Sequence, residues 1–528
     1  MIKYKFNYYL NFRNSLFISL IGGLLLGLSW PTYGLFFLSF IGIIPFIYVS
    51  QKYVSKKRFI TFFAGFLLWN IISTFWLIYA TTFGFLFAVL VNSLMMSTVF
   101  YLYSIISKNN GNKLGYIFLV SIWICFEKFH LYWDFSWPWL NLGNVFSENI
   151  KIIQWYEYTG TFGGTLWVLI INILIFISYQ SCKQKRHFKK PIFFTLMILI
   201  LPTLVSLIKY YNFNENGKKV NVTIIQPNID PYEEKYKIRN IDNISYLKSL
   251  ITKNNISNSK IILPETFFSE GIQLNSYNYN QFTENLNSII KKNNNHLITG
   301  FEPYEIIYDK DNISAFSNKI NNNRWINIFN SALFLNGNNS SFYHKSKLVV
   351  GVEKMPYKNI IEPLLGDILL DFGGLSMTRG QQQNRESFYT DEDSYISPII
   401  CYESVYGEYV TKYFNKGYGI LVIITNDAWW GNSQGHKQHM SYARLRAIEN
   451  RKNIVRSANT GISGLINSRG DIEIKSNYDE EIVLNYQAYE NDKVTFYIMY
   501  GDYIFRISLM LSLIIFSYFI SSKIRGKN

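Results

Sequence analysis

Apolar residues crowd into the first 210 positions of this chain and its last 26, and the stretch between follows a different pattern. A bilayer core takes about 20 apolar residues per helix. Eight segments are predicted as spans on that basis: 15–30, 34–50, 59–80, 83–107, 114–132, 161–180, 191–209 and 503–521. In the middle, Val222–Gln226, Lys260–Leu263, His296–Thr299, Ser331–Leu335, Tyr395–Ile400 and Ile420–Thr425 are short apolar or alternating runs that predict strands. Polar, helix-compatible stretches at 239–256 and 278–294 lie between several of them, an α/β pattern with a layered sheet. Residues 358–393, rich in Gly, Gln and Asp, are expected to form a long loop or insertion. The expected organisation is a transmembrane domain over 1–210 with seven spans, an α/β domain over 211–500, and a last helix with its tail over 501–528.

The formal charge of +15 over 528 residues changes meaning once the spans are placed. Lys3, Lys5, Arg13, Lys52, Lys56, Lys57, Arg58, Lys108, Lys113, the cluster 183–190 and the tail lysines all fall on one side of the predicted membrane. The turns at 31–33 and 81–82 on the other side carry no charge. The positive-inside rule then puts both termini in the cytoplasm and the middle domain outside the cytoplasmic membrane. The basic balance is thus a topological signal that requires no nucleic-acid partner. Leu28-Ser29-Trp30-Pro31 offers no small-x-small cleavage site after the first span, which reads as an uncleaved anchor. Of the three cysteines, Cys125 and Cys182 belong to the membrane part, so Cys401 has no disulfide partner in its own domain. An unpaired thiol in an oxidising compartment is a hazard unless buried or used.

Three features of the pattern carry a bland and a functional reading each. Glu127 and Lys128, near the end of the fifth span, read as a pair reaching to the outer interface, and Asn70 as an interhelical hydrogen-bonding group. Trp133, Phe135, Trp137, Trp139, Trp155, Tyr156 and Tyr158 crowd the loop 133–160, which reads as an interfacial aromatic belt, with a mouth for lipid chains as the alternative. His436 and His439 have i, i+3 spacing but no accompanying ligand set. A surface role is expected for them, with no metal.

Chemistry-bearing residues stand beside the strand-like runs. Glu265 follows Ile261-Ile262-Leu263-Pro264, and Cys401 ends the run 394–400. Lys345 and Lys347 share one face of an expected alternating strand at 343–349. Asn426-Asp427-Ala428-Trp429-Trp430 follows another run. Together they offer a base, a cation and a nucleophile. A thiol of pKa ~8.5 is only a few per cent ionised at neutral pH and needs a base to act.

Pro-Glu-Thr at 264–266, Tyr-x-Lys-x-x-Leu-Val at 343–349, Cys-Tyr-Glu at 401–403 and Asn-Asp-Ala-Trp at 426–429 occur in that order. With Arg444–Glu449 and Arg456–Gly461, and with eight spans around an outer domain, the chain resembles the bacterial apolipoprotein N-acyltransferases of the nitrilase superfamily. The resemblance implies an α-β-β-α sandwich beside the polytopic helical domain. It implies Glu265 as general base, Lys345 (chosen over Lys347 by its spacing to Leu348-Val349) as oxyanion-stabilising cation, and Cys401 as nucleophile. Glu353, Tyr402 and Glu403 match supporting positions; Val350 stands where the family usually has proline. Trp139, Trp429 and Trp430 are expected in lipid- or substrate-contacting loops. The implied reaction passes an acyl chain from a membrane phospholipid, through a cysteine thioester, to the α-amino group of a lipoprotein's diacylglyceryl-cysteine. No cofactor is implied. The alternatives are a membrane-tethered amidase sharing the triad and, from another class, a transporter or receptor with a sensory outer domain.

Overall fold

The computed structural model describes residues 10–53, 55–185, 188–337, 339–357, 377–391, 393–414 and 416–526. The chain forms two compact units: Met1–Ile78 with Thr82–Asn212 and Tyr500–Asn528, and Tyr79–Thr81 with Phe213–Met499.

The first unit is helical, and each predicted span falls on a helix. Among the described residues, six helices are long and apolar enough to cross a membrane: Phe12–Ser29, Arg58–Tyr79, Thr82–Asn110, Thr161–Lys183, Lys189–Tyr211 and Tyr503–Arg525. The other two predicted spans correspond to the shorter segment Phe36–Lys52 and the helix Asn112–His130, which carries Lys113, Glu127 and Lys128. Phe36–Lys52 breaks at Ile43, just before Pro45. The side chain of Asn172 repairs that break, accepting from Ile43 N at 2.9 Å and donating to the Ser39 carbonyl at 2.8 Å. Phe12–Ser29 and the helix Arg58–Thr74 touch backbone to backbone. A Cβ on Gly23 would lie 2.0 Å from the Gly65 carbonyl oxygen, and small residues permit such approaches between membrane helices.

Asn70 bonds between helices as expected, accepting from Asn92 Nδ2 at 2.7 Å. Glu127 and Lys128 do not reach outward as a pair. Glu127 is buried and accepts from Trp123 Nε1 at 3.0 Å, Leu142 N at 2.8 Å and Thr165 Oγ1 at 2.7 Å. Lys128 instead pairs with Asp502 at 2.6 Å. Adjacent helical residues project about 100° apart, so one turn cannot present both to the same surface. Much of the aromatic loop 133–160 also turns inward. Trp139 packs on Trp76 with ring centroids 4.8 Å apart, and buried Tyr156 donates to the Gly143 carbonyl at 2.8 Å. Tyr158 is exposed.

The second unit contains two sheets. In the first, the strand Lys218–Gln226 runs parallel to Lys260–Ile262, which runs parallel to His296–Ile307. Antiparallel strands Ser331–Leu335 and Ser340–His344 extend it. In the second, Ser394–Ile400, Tyr418–Thr425 and Ile454–Ala458 are successive parallel neighbours. All seven residues of Ser394–Ile400 are buried, as expected for a parallel strand covered on both faces, which reads as one apolar run rather than an alternation. Ser457 Oγ donates to the Ile225 carbonyl at 2.8 Å and links the two sheets. The helices Asn240–Lys253 and Gln281–Lys292 cover the first sheet through Ile244, Leu247, Leu286 and Ile290, packed on Ile225, Leu297 and Leu333. The helix Gln434–Asn450 packs at the second sheet and is almost wholly buried. The architecture is an α-β-β-α sandwich. Of the stretch 358–393, residues 358–376 and 392 lie outside the described residues; Arg379–Gly380 and Phe388–Tyr389 are short strands.

Candidate active site

Chain ends leaving the strands bring the polar residues together. Ser394–Ile400 stops at Cys401, the first residue of a single tight turn, Cys401–Val405. Cys401 has φ +50°, a left-handed conformation that costs a non-glycine residue roughly 1–2 kcal/mol and persists only where the surroundings hold it. Three groups do so. Ser404 Oγ donates to the Cys401 carbonyl at 2.7 Å, and His439 Nε2 lies 3.2 Å from the same oxygen. Glu403 accepts from Ile400 N at 2.8 Å, just before the cysteine.

Glu265 leaves the first sheet three residues after Ile262, followed by Thr266, which also has a left-handed φ of +48°. Its Oε1 accepts from Lys345 Nζ at 2.9 Å and Asn330 Nδ2 at 2.7 Å, and its Oε2 from Asn426 N at 3.1 Å. Glu353 meets the same ammonium at 3.0 Å and the same amide at 2.7 Å. Lys345 is therefore one cation between two carboxylates, with Asn330 bridging them on the other side. Lys345 does not lie in a strand shared with Lys347. The strand ends at His344, Lys345 turns inward to full burial, and Lys347 sits over the Tyr406 ring at 5.1 Å. The Asn330 carbonyl fixes this turn, accepting from Lys345 N at 2.8 Å, while its Nδ2 donates to both acids. Val350, in the position of the family's proline, begins a tight turn in which Val349 N donates to Glu353 Oε2 at 2.8 Å.

Burial works to raise the Glu265 pKa, but the Lys345 ammonium and the Asn330 bond override it and hold the carboxyl below its usual range. Burial alone would lower the Lys345 pKa; Glu265 and Glu353 bring it well above the ordinary lysine value. Burial pushes the Cys401 thiol up, with the Glu265 charge adding to it and Lys345 opposing. The resting state is thus an ionised Glu265, a charged Lys345 and a protonated thiol.

His436 and His439 are buried, not at the surface. The helix Gln434–Asn450 that carries them is polar in sequence but enclosed, so its polar groups find partners inside the protein. His439 Nδ1 lies 3.0 Å from Asp427 Oδ1, Asp427 pairs with Arg456, and Ser404 Oγ meets His439 Nε2 at 2.8 Å. This network lies directly behind the Cys401 carbonyl. Trp429 and Trp430 are partly exposed; Trp429 meets the Tyr232 ring at 5.0 Å and Trp430 the His439 ring at 5.5 Å. Trp139 belongs to the helical unit and is buried there. Tyr402 is buried with its ring 5.2 Å from that of Tyr406.

Pattern reading missed Asn330, Lys235 and the Asp427–His439–Arg456 network. Asn330 is the single polar break between the strands Arg324–Phe329 and Ser331–Leu335, and such a break is the one signal that marks it. Lys235 lies in a charged turn that reads as solvated, yet it is 4% exposed and donates to the Glu265 carbonyl at 3.2 Å and to Thr266 Oγ1. Among the described residues, no group of acids, histidines and cysteines could hold a metal ion.

Residues 22–174 match the family described as the apolipoprotein N-acyltransferase N-terminal domain, and residues 221–489 match the carbon-nitrogen hydrolase family. Among curated relatives, the apolipoprotein N-acyltransferase of Chlorobaculum tepidum is 27% identical over 510 residues, covering 92% of this chain and 93% of its own. That of Geobacter metallireducens is 25% identical over 511 residues, covering 93% and 92%. The Thermotoga maritima protein of the same name is 25% identical over 535 residues, covering 97% and 95%. Among solved structures, a CN-hydrolase superfamily protein from Xanthomonas campestris aligns with TM-score 0.36 at 14% identity, covering 51% of this chain and 91% of its own. A nitrilase-superfamily amidase from Nesterenkonia aligns with TM-score 0.35 at 12% identity, covering 53% and 93%.

Proposed function

The chain belongs to the carbon-nitrogen hydrolase family, in its apolipoprotein N-acyltransferase branch, and we propose that Cys401, Glu265 and Lys345 carry its acyl transfer. It is a multi-pass membrane enzyme of lipoprotein N-acylation. The observation that supports the residue assignment is the convergence of three strand ends. They bring a strained, buried thiol, an ionised carboxylate and a buried ammonium into one water-poor centre.

In the first half-reaction Glu265 takes the Cys401 proton as Sγ attacks the ester carbonyl of a phospholipid. The carbonyl electrons move onto oxygen, and Lys345 faces that developing charge. Collapse breaks the ester C–O bond; Glu265 returns the proton to the departing lysophospholipid oxygen, leaving a thioester on Cys401. In the second, the neutral α-amino group of a diacylglyceryl-modified lipoprotein cysteine attacks the thioester carbonyl and gives a proton to Glu265. The C–S bond breaks, an amide forms, and the proton goes back to sulfur. The pKa of a free α-amino group, about 7.7–8.0, leaves a usable neutral fraction near pH 7.5.

Glu353 holds Lys345 from the side opposite Glu265, and Glu403 holds the backbone before Cys401 and after Lys345. Trp429 and Trp430, partly exposed in the loop after the strand Tyr418–Thr425, are the proposed acyl-chain contacts. The basic loops put both termini in the cytoplasm, so the catalytic unit works outside the inner membrane, where both substrates reside in the bilayer's outer leaflet. The test is covalent labelling. Full-length protein given a phospholipid with a labelled acyl chain should acquire a hydroxylamine-sensitive label that is absent from Cys401→Ala. A label persisting on the variant overturns the assignment.

A further inference from the structure

Two carboxylates, Glu265 and Glu353, share the single ammonium of Lys345 at 2.9 and 3.0 Å. The neighbouring Glu302 has its own cation, Arg379, at 3.3 Å. Counted alone, the Glu265–Lys345–Glu353 cluster is therefore one positive charge short. Moving the Cys401 proton to Glu265 does not change that count, because the negative charge passes to sulfur and then to the oxyanion. Charge left uncompensated in a buried centre is expensive, and Lys345 is already divided between two acids.

The missing charge is at hand. Lys235 enters from the turn after Asp230, its backbone N donating to the Asp230 carbonyl at 2.9 Å and its carbonyl accepting from Ser269 Oγ at 2.7 Å. The ammonium bonds only two groups among the described residues, the Glu265 carbonyl and Thr266 Oγ1, with no carboxylate at ion-pair distance. A lysine buried against neutral oxygens alone is unfavourable, and its place under the strained Glu265–Thr266 turn gives that burial a purpose.

We propose that Lys235 is the second cation of this centre, a positioning residue that clamps the turn carrying Glu265 and supplies the positive charge the two-acid, one-lysine cluster lacks. This rests on the assignment of Glu265 and Cys401 above. The charged and titratable groups around Lys235 are Glu265, Glu302 with its partner Arg379, Lys345, Cys401 and the adjacent Tyr236. Burial lowers its pKa to about 8, against the raising influence of Glu265, Glu302 and Cys401. The sign follows directly. The charge is present below about pH 8 and is lost as pH rises through that value, whereas Lys345 stays charged well beyond it.

The experiment measures single-turnover acyl-enzyme formation on full-length protein in detergent, using phosphatidylethanolamine with a fluorescent acyl chain, from pH 5 to pH 11. The wild type should lose rate above about pH 8. Lys235→Arg, whose guanidinium stays charged throughout, should carry the plateau beyond about pH 10 and so remove that limb. Lys235→Met should acylate at least about tenfold more slowly (1.4 kcal/mol or more), with its acid limb moved to higher pH because Glu265 has lost a neighbouring cation. An alkaline limb left near pH 8 in Lys235→Arg, or a wild-type rate in Lys235→Met, overturns the inference. Cys401→Ala run alongside reads the nucleophile separately: its labelling would refute the underlying assignment, whereas a silent Cys401→Ala with unmoved Lys235 limbs refutes only the role of Lys235.

Discussion

Replacing Glu403 by Gln tests whether the nucleophile and the cation are held by one shared carboxylate. Glu403 is fully buried. Its Oε1 accepts from Tyr343 OH at 2.7 Å, Ser346 N at 2.8 Å, Lys347 N at 3.3 Å and Tyr409 OH at 2.8 Å; its Oε2 accepts from Ile400 N at 2.8 Å and Tyr413 OH at 3.3 Å. Ile400 immediately precedes Cys401 and Ser346 immediately follows Lys345, so this carboxylate ties the backbone of one to the backbone of the other. A Gln amide must put an NH2 where one oxygen was. Facing Ser346 N and Lys347 N it would strand two backbone donors that cannot turn, so the amide nitrogen takes the Oε2 side. There Tyr413 can rotate its hydroxyl and accept, but Ile400 N cannot.

The minimum cost is then one stranded buried N–H, about 1–3 kcal/mol. At roughly 2 °C per kcal/mol for a unit of this size, the melting temperature of full-length protein should fall by about 2–6 °C. Because the stranded donor is next to Cys401, acyl-enzyme formation should fall by about an order of magnitude or more, with Glu403→Ala worse on both counts. The measurements are thermal unfolding in detergent and single-turnover labelling. A Glu403→Gln protein that melts and labels like the wild type would refute the shared-carboxylate argument.

Asp427→Asn leaves the guanidinium of Arg456 buried without its carboxylate, and should cost about 3–5 kcal/mol, read as lost thermal stability. Although burial raises the Asp427 pKa, Arg456 and His439 bring it well below the usual carboxylate range. Its stabilising contribution is therefore present above the unfolded value of about 3.9 and is lost as pH falls through the folded one. The melting temperature of Asp427→Asn should accordingly change less between pH 6 and pH 3 than that of the wild type. In the helical unit, a Cβ at Gly143 would meet the Thr161 carbonyl oxygen at 1.9 Å, backbone against backbone. Gly143→Ala should sharply reduce the yield of folded protein recovered in detergent; normal yield would show that the two segments can separate.

What could be read from the sequence follows from which interactions leave a periodic trace. The parallel strands were legible because burial on both faces leaves no polar position in Ile399-Ile400 or Leu421–Ile424, and Glu265 and Cys401 because they end such runs. The strand expected at 343–349 stopped short because alternation cannot tell a residue that stays in a sheet from one that turns inward after it, and Lys345 does the latter. Lys235 and the helix Gln434–Asn450 were illegible for the opposite reason. Asp230–Lys237 and Gln434–Asn450 have the composition of solvated segments, but their polar side chains are satisfied by partners far away in sequence: Thr266 for Lys235, Asp427 and Ser404 for His439. Glu127 and Lys128 misled similarly, since adjacency in sequence suggested a pair where the structure gives each a distant partner, Thr165 and Asp502.

The protonated thiol sets how the two half-reactions relate. A thiolate waiting in the site would react with whatever electrophile or oxidant reached it, because the thiolate is the reactive form. Here burial and the charge on Glu265 keep sulfur protonated, so in the proposed mechanism nucleophilicity arises only as Glu265 accepts the proton with an acyl ester in place. The same base then governs the exit. In that mechanism each half-reaction ends with Glu265 giving up the proton it took, first to an alkoxide and then to sulfur, so the centre returns to its starting charge without exchange with water. A thioester is less stable than an oxygen ester, so the first half-reaction can run backward. An amide is far less reactive toward a thiol than either, so attack by the amine drains the acyl-enzyme in one direction. Under that mechanism a site with a fixed proton inventory, supplied with an ester and an amine, passes the acyl chain from the one to the other.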